Sequence, residues 1–271
     1  MAASKPDASF HSKHSNHHES MASNWTLSVA VGMLPHLSPI TSTSYILDNV
    51  CVTGLVTDLL KSHYPALRMF GTDATPGTIE ACDSKIATTK WFDTITSSIC
   101  DSRTLTGIEN ESFTHVITNF GFPPDLTDRC SPMKATREMW RLLKPGGMAD
   151  ASIWKVEAAA RRISPNERPY AWTLPSDWSD AGWLQETKAE IGFGDNVTVK
   201  QIGGSASTES LERLVANMMC DKGMFCKGHS EEEFDGMAEV LGEELKKWEA
   251  WYEDEEGFGI IIDSWVAFAT K

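Results

Sequence analysis

The sequence predicts an α/β fold: a doubly wound, mostly parallel sheet of seven strands with a C-terminal helical cap. Short strand-like and helical segments alternate between Tyr45 and Trp154, which requires βαβ crossovers and a parallel sheet. The last third instead has two strand-like segments around a long helical one, which predicts an antiparallel edge. Since crossovers are right-handed, we expect ligands above the carboxyl ends of the strands.

The elements of the first half follow from local patterns. A helix is expected over Asn24–Leu37, where Pro35 breaks the pattern. Pro76 marks the start of a later helix, because proline is favoured at the first helical position. The first five strands are predicted at Tyr45–Asp48, Arg68–Thr72, Asp93–Cys100, Thr114–Thr118 and Met148–Trp154, with helices over Thr53–Lys61, Thr75–Ser84 and Pro132–Leu143, the last ended by Lys144–Gly147.

The last third predicts a helix at Leu184–Ile191, a strand at Asn196–Ile202, mostly helix over Glu209–Tyr252, and a final strand at Gly259–Thr270. We expect the strand at 46–48 to be central and residues 260–269 to run antiparallel to their neighbours. Residues 1–23 are predicted to be a disordered tail, because they are polar and rich in histidine. Residues 24–271 then form one domain, with a helical cap insertion at about 205–256.

Composition excludes several classes of function. The formal net charge of -14 repels phosphate backbones and argues against a nucleic-acid partner. No apolar run approaches the roughly 20 residues that span a bilayer, and the N-terminus lacks a signal-peptide profile, so we expect a cytoplasmic protein without membrane contact. The six cysteines form no C-x-x-C pair, which predicts neither a metal site nor a disulfide framework. The oligomeric state stays open.

Three acidic residues follow the first three predicted strands. Asp48 ends the first strand and precedes a loop and a helix, the arrangement of a nucleotide-binding unit. Asp73 closes the second strand, 19 residues after Gly54, where a carboxylate can accept hydrogen bonds from ribose hydroxyls. Asp101 follows the third strand, as a polar partner for an adenine amino group would. Their common register predicts one adenosine-binding edge.

From about Tyr45 to Trp154 the sequence resembles the class I, Rossmann-like, S-adenosylmethionine-dependent methyltransferases. The motifs are Leu-Asp-x-x-Cys-x-x-Gly at 47–54, Gly71-Thr72-Asp73, Asp101, and Leu-Leu-Lys-Pro-Gly-Gly at 142–147. The last of these, with residues 113–122, resembles the ubiquinone-biosynthesis type and fungal small-molecule methyltransferases such as the gliotoxin thiomethyltransferases.

The resemblance implies Asp48 near the methionine end of S-adenosylmethionine, Asp73 on the ribose and Asp101 near the adenine. It places Asn119 and Phe120 facing the transferring methyl group. The residues that it implies for cofactor binding are Asp48, Asn49, Val50, Val52, Gly54, Asp73, Ala74, Asp101, Ser102, Asn119 and Phe120.

The cofactor loop departs from the family pattern, because Val50 and Val52 stand where the family has glycine. A β-branched residue at positive φ costs about 1–2 kcal/mol. We therefore expect the loop to take another path, and the Val52 side chain to point into space that the cofactor normally fills. Gly54 is retained, which preserves the packing of helix on strand.

Three functions follow from the resemblance. The first is methyl transfer to an O, N or S atom of a small organic molecule in specialised, fungal metabolism. The second is a methyltransferase-like protein that no longer methylates and catalyses a pericyclic ring closure, and the third is a non-catalytic regulator. His115 lies mid-strand and is interpreted as structural, and no catalytic base is identified. Apolar residues expected to line a substrate pocket, or alternatively to fill the core, are Phe122, Trp154, Trp172, Trp178 and Met218.

Overall fold

The computed structural model describes residues 26–121, 128–154, 180–219, 241–243, 245–247, 250–254 and 257–271. Its strands are β1 Tyr45–Asn49, β2 Arg68–Asp73, β3 Ile95–Ile99, β4 Phe113–Thr118, β5 Leu143–Trp154, β6 Val197–Thr208, β7 Trp251–Asp254 and β8 Gly257–Thr270. Its helices are α1 at 26–33, α2 Leu55–His63, α3 Pro76–Thr89, α4 Ser131–Leu142, α5 Ala181–Lys188 and α6 Leu211–Met219. A 3-10 turn at Leu34–His36 follows α1, and a π turn at Ala189–Phe193 follows α5.

These residues form one mixed sheet with the strand order β3-β2-β1-β4-β5-β8-β6. The pairs from β3 to β5 are parallel, and β8 runs antiparallel to both β5 and β6. The predicted antiparallel final strand is therefore confirmed, and β1 is an inner strand next to β4, the middle strand of this order. The predicted number of seven strands is wrong, because the described residues already contain eight. The additional strand is β7, a short segment that pairs with β8 outside the main order.

The structure does not confirm the predicted C-terminal cap. The insertion was expected at about 205–256, but residue 205 lies inside β6, which continues to Thr208. The predicted helix over Glu209–Tyr252 is also wrong at its end, because Trp251–Asp254 is a strand. Helix α6 agrees with the helical spacing of Leu214 and Val215, which are both buried. Residues 220–240 and the predicted tail lie outside the described residues, and the domain boundaries stay a prediction.

Apolar side chains cover both faces of the sheet. Along β1, Ile46 packs on the face covered by α1, α2 and α3, whereas Leu47 packs on the face covered by α4 and α5. Both side chains have no exposed surface. Burial of two faces is usual for parallel sheets, whose crossover helices lie on either side. Polar groups are therefore directed to the ends of the strands, where the loops lie.

The segment between α4 and β5 is shorter than predicted. Residues 144–147 were expected to form a loop, but β5 begins at Leu143, directly after α4, and includes them. The pairing of β4 with β5 shifts register between Phe113 and His115 to accommodate this. Farther along, β5 continues to Trp154 and delivers Ser152 to the carboxyl edge of the sheet.

Candidate functional site

The loop between β1 and α2 keeps a glycine-type backbone path despite its valines. Val50 has φ 60°, Val52 has φ 49° and Gly54 has φ 80°. The expectation that the loop would avoid these angles is wrong. The N–H of Cys51 donates to the carbonyl of Thr72 at 2.9 Å, and the N–H of Gly54 to that of Cys51 at 2.8 Å. These contacts fix the path, which costs about 1–2 kcal/mol for each valine.

Asp48 connects β1 to the first turn of α2. Its side chain is buried, and Oδ2 accepts hydrogen bonds from the Thr57 backbone N–H at 3.1 Å and from the Thr57 hydroxyl at 2.7 Å. Burial raises the pKa of Asp48 to about 6, although the bonds from Thr57 act in the opposite direction. The carboxyl group of Asp48 therefore titrates at about pH 6. Its hydrogen-bond partner, Thr57, gives it a structural role at the start of α2.

A second buried carboxyl group lies at the same level of the sheet. Ile117 of β4 pairs with Asp48 on one side and with Asp150 of β5 on the other. Asp150 has no exposed surface, and neither of its carboxyl oxygens has a hydrogen-bond partner among the described residues. Burial raises the pKa of Asp150 well above its ordinary value, against the lowering effect of Lys188. Burial therefore favours the neutral form of the Asp150 carboxyl group.

Asp73 lies at the end of β2, beside the β1–α2 loop. Oδ2 accepts a hydrogen bond from the N–H of Val52 at 3.2 Å, and Oδ1 accepts one from the N–H of Thr75 at 2.8 Å. A carboxylate offers about four acceptor sites. Asp73 can thus hold the loop and still accept hydrogen bonds from two ribose hydroxyls.

Asp101 follows β3 and is paired with Arg103. The Arg103 guanidinium donates to both carboxylate oxygens, with an Nη2–Oδ2 distance of 2.6 Å, and the backbone N–H of Arg103 donates to Oδ1 at 2.8 Å. Both side chains are partly exposed. Ser102, which lies between these two residues in the sequence, is buried. Ala74, the residue after β2, is exposed. The adenine end of the predicted site therefore carries an ion pair.

Hydrogen bonds join the ends of β4 and β5 to the start of α1. Oδ1 of Asn119 accepts from the Ser152 hydroxyl at 2.8 Å, and its Nδ2 donates to the carbonyl of Thr26 at 2.9 Å. The N–H of Phe120 donates to the Ser152 oxygen at 2.8 Å. Phe120 also has a positive φ of 55°. These bonds fix the loop that the resemblance places against the reacting methyl group.

Val50 contacts Gly121 across the gap between the β1 and β4 loops. A methyl group added to Gly121 would lie 2.7 Å from Val50 Cβ and 3.0 Å from Val50 Cγ2. Both distances are shorter than van der Waals contact, so no ligand atom fits between the two residues. The contact across the gap belongs to Val50, and the obstruction by the Val52 side chain stays a prediction.

The sequence placed the three acidic residues correctly at one edge, since parallel β1, β2 and β3 end there. It missed their partners Thr57, Arg103 and Ser152. A threonine in the first turn of α2 and an arginine two residues after Asp101 were available signals. Asn49, the last residue of β1, is buried, and its side-chain amide donates to the Thr118 hydroxyl at 3.1 Å.

The predicted substrate pocket stays a prediction. Trp154 is the last residue of β5, and Met218 lies in α6. Phe122, Trp172 and Trp178 lie outside the described residues. His115 agrees with its structural interpretation, because it is buried and its Nε2 lies 2.7 Å from the Ser38 hydroxyl. Burial lowers the pKa of His115, which leaves a neutral ring below the site edge.

The cofactor implied by the resemblance can be tested against these residues. Its adenosine half fits: Asp73 has free acceptor capacity for a ribose, and Asp101 and Ser102 follow the neighbouring strand. Its methionine half would meet the contact between Val50 and Gly121. The polar residues of the site therefore fit the adenosine half of S-adenosylmethionine, and the contact between Val50 and Gly121 narrows the space for its methionine half.

A family comparison covers the segment in which these residues lie. The family model described as "Methyltransferase domain" matches residues 46–147, the segment that includes Asp48, Asp73 and Asp101. No curated protein sequence matches the chain. Among the described helices, none combines the length and apolar character needed to cross a membrane.

Solved structures with similar folds include phosphoethanolamine N-methyltransferase 2 of Haemonchus contortus in complex with S-adenosyl-L-methionine. The TM-score is 0.61 at 17% identity, and the match covers 96% of this chain and 57% of that longer enzyme. The YcgJ protein of Bacillus subtilis gives a TM-score of 0.59 at 14% identity, covering 90% of this chain and 97% of that one.

The [4+2]-cyclase SpnF gives a TM-score of 0.55 at 15% identity, covering 89% of this chain and 78% of that one. At these identities the likeness establishes the fold. The chain therefore has the class I methyltransferase fold, and its residues 46–147 match the methyltransferase-domain model.

Proposed function

We propose that this protein transfers a methyl group from S-adenosylmethionine to a small organic molecule. The observation that carries this proposal is the position of Asp48, Asp73 and Asp101 at three adjacent strand ends, inside the segment that matches a methyltransferase domain. The bound cofactor would supply an electrophilic methyl group. Resemblance of residues 142–147 to the fungal small-molecule enzymes favours specialised metabolism.

In this proposal, the residues of the chain bind the cofactor and orient the acceptor molecule. Asp73 accepts hydrogen bonds from the ribose hydroxyls while it holds Val52 in place. Asn119 and Phe120, fixed by Ser152, position the acceptor molecule at the end of β4. Holding two reactants in register supplies much of the acceleration in a transfer of this kind.

The acceptor is a nucleophile that needs little help from a base. His115 is buried below the edge and its pKa is lowered, so it serves as a structural residue. A thiol, an amine or a phenol whose hydroxyl group has a lowered pKa can react with a modest base or without one. Such groups are the acceptor class that we propose.

Isothermal titration calorimetry with S-adenosylmethionine and S-adenosylhomocysteine tests the cofactor, and mass spectrometry of thiol, amine and phenol panels tests the reaction. We expect binding by the wild-type protein and a product heavier by one methylene unit. Absence of binding heat at millimolar cofactor would overturn the proposal. Asp73→Asn is the matched variant, since it keeps the side-chain size and removes the charge.

A second candidate is a ring-closing enzyme on the same fold, and the contact between Val50 and Gly121 favours it, because that contact narrows the methyl-donor end. Cofactor binding without any methylated product, together with isomerisation of a polyunsaturated substrate at constant mass, would support this candidate. A protein that neither binds cofactor nor converts any substrate would fit the regulatory alternative.

A further inference from the structure

The crevice in which this fold binds ligands lies between β1 and β4. The strand order reverses there, since β2 and β3 lie on one side of β1, and β4 and β5 lie on the other. In open α/β sheets, ligands bind at this switch point above the carboxyl ends of the strands. A ligand whose ribose lies on Asp73, at the end of β2, must cross the β1 loop to reach the β4 loop.

The Asp73 carboxylate lies on the β2 side of the crevice, and the contact between Val50 and Gly121 lies on its β4 side. Asp73 and Asp101 present carboxylates beyond the ends of β2 and β3. Between β1 and β4, the Val50 side chain lies directly against Gly121, with no room for a ligand atom. The part of a ligand that extends beyond the ribose therefore meets Val50.

On both sides of this contact, neighbouring backbone N–H groups donate hydrogen bonds. The loop is fixed next to Val50 by the bonds from Cys51 to Thr72 and from Val52 to Asp73. Gly121 follows Phe120, whose N–H is bonded to Ser152. These bonds hold the backbone next to Val50 and next to Gly121, and so favour the contact between the two residues.

We propose that Val50 sets the length of the adenosyl ligand that this site prefers. The site favours adenine nucleosides with a short 5′ substituent, such as 5′-methylthioadenosine, over those that carry a full amino-acid chain. A full-length methyl donor binds only when Val50 and Gly121 separate. This inference rests on the adenosyl site of the proposed function.

Calorimetry of the full chain with 5′-methylthioadenosine and S-adenosylhomocysteine tests it. The wild-type protein should bind methylthioadenosine at least about tenfold more tightly than S-adenosylhomocysteine. A factor of about ten is the range for one misfitting methylene group in a pocket. Val50→Gly should improve the affinity for S-adenosylhomocysteine by at least about tenfold and change that for methylthioadenosine by less than about threefold. Val50→Ala should give an intermediate result, because it keeps Cβ and removes both Cγ atoms.

Val52→Gly is the matched control. It relieves a positive φ in the same loop but leaves the contact with Gly121, so the preference for the short ligand should persist. An equal gain from Val52→Gly would overturn the inference, because loop strain and not the Val50 side chain would then be responsible.

Two further outcomes separate the inference from the proposed function. Wild-type protein that binds S-adenosylhomocysteine as tightly as methylthioadenosine overturns the inference and leaves the proposed function standing. Failure of every adenosyl ligand to bind wild type and all variants, with thermal unfolding showing folded protein, overturns both.

Discussion

The backbone N–H of Val52 donates a hydrogen bond to Oδ2 of Asp73 at 3.2 Å. The strained residue of the cofactor loop is thus held by the carboxylate that the sequence assigns to the ribose. Since Oδ1 holds Thr75 at the start of α3 in the same way, Asp73 connects three consecutive parts of the site. Its removal should affect both stability and binding.

Asp73→Ala should weaken cofactor binding by about 1.5–3 kcal/mol, the range for a hydrogen bond to a charged group. It should also lower the free energy of unfolding by about 1–3 kcal/mol, because two backbone donors lose their acceptor. Calorimetry and urea denaturation measure the two effects separately. An unchanged dissociation constant in a folded variant would refute the assignment of Asp73 to the ribose.

Gly121→Ala should destabilise the protein by about 1–3 kcal/mol, because the new methyl group overlaps Val50 and Thr118. In a Val50→Gly background the loss should shrink by at least about 0.5 kcal/mol, the coupling expected for residues in contact. Urea denaturation of the four proteins measures this. Gly203→Ala is the control, since its nearest neighbour, at 3.4 Å, leaves room for a methyl group. If the stability losses of Gly121→Ala and Val50→Gly simply add in the double variant, the contact between the two residues would be contradicted.

The contribution of Asp48 to stability should rise as the solution is made more acidic from pH 7 towards pH 4, whereas the lowered pKa of His115 acts in the opposite direction. The pKa of Asp48 is about 6 in the folded protein against an ordinary value of 3.8, so the folded state binds this proton more tightly than the unfolded chain. Stability is then lost as the pH rises from about 4 to about 6, by about 3 kcal/mol for this residue. The raised pKa of Asp150 acts in the same direction.

Asp48→Asn should flatten this pH dependence, because an amide does not ionise and its oxygen still accepts hydrogen bonds from Thr57. Chemical denaturation at several pH values, for wild type and variant, measures the difference between the two curves. Parallel curves would show that Asp48 does not have a raised pKa.

The cysteines should differ in reactivity. The hydrogen bond with the Cys82 thiol, together with burial, raises the pKa of Cys51 well above its ordinary value, and both thiols are buried. Because the thiolate is the reactive form, iodoacetamide at pH 8 should label exposed Cys130 before Cys51 and Cys82, which should stay unmodified until unfolding. Peptide mass spectrometry over time measures this. Early labelling of Cys51 would show that the loop opens readily.

The sequence was sufficient for the features that depend on local patterns. The alternation of strand and helix located β1, β2 and β4, and the acidic residues at strand ends located the edge of the site. It failed at the β1–α2 loop, where backbone preference predicts that Val50 and Val52 avoid positive φ. Hydrogen bonds to Thr72 and Asp73, which are distant in sequence, override that preference.

The strand count and the contact of Val50 with Gly121 also depend on distant parts of the chain. Residues 251–254 are compatible with a helix by themselves and become a strand because β8 offers an edge for pairing. Gly121 gives no signal in the sequence until β4 is placed beside β1. Pairing between distant segments decides both features, and local pattern does not encode it.

The position of β8 has a consequence for how the protein assembles. Its insertion between β5 and β6 joins residues far apart in the chain, such as Ala149 and Ala269. Strand pairing across such distances slows folding, because loop closure costs entropy before any contact forms. During synthesis, the outer edge of β5 waits unpaired until β8 has left the ribosome, and an unpaired edge promotes aggregation. Nascent chains of this protein should therefore depend on chaperones until the last strand of the sheet arrives.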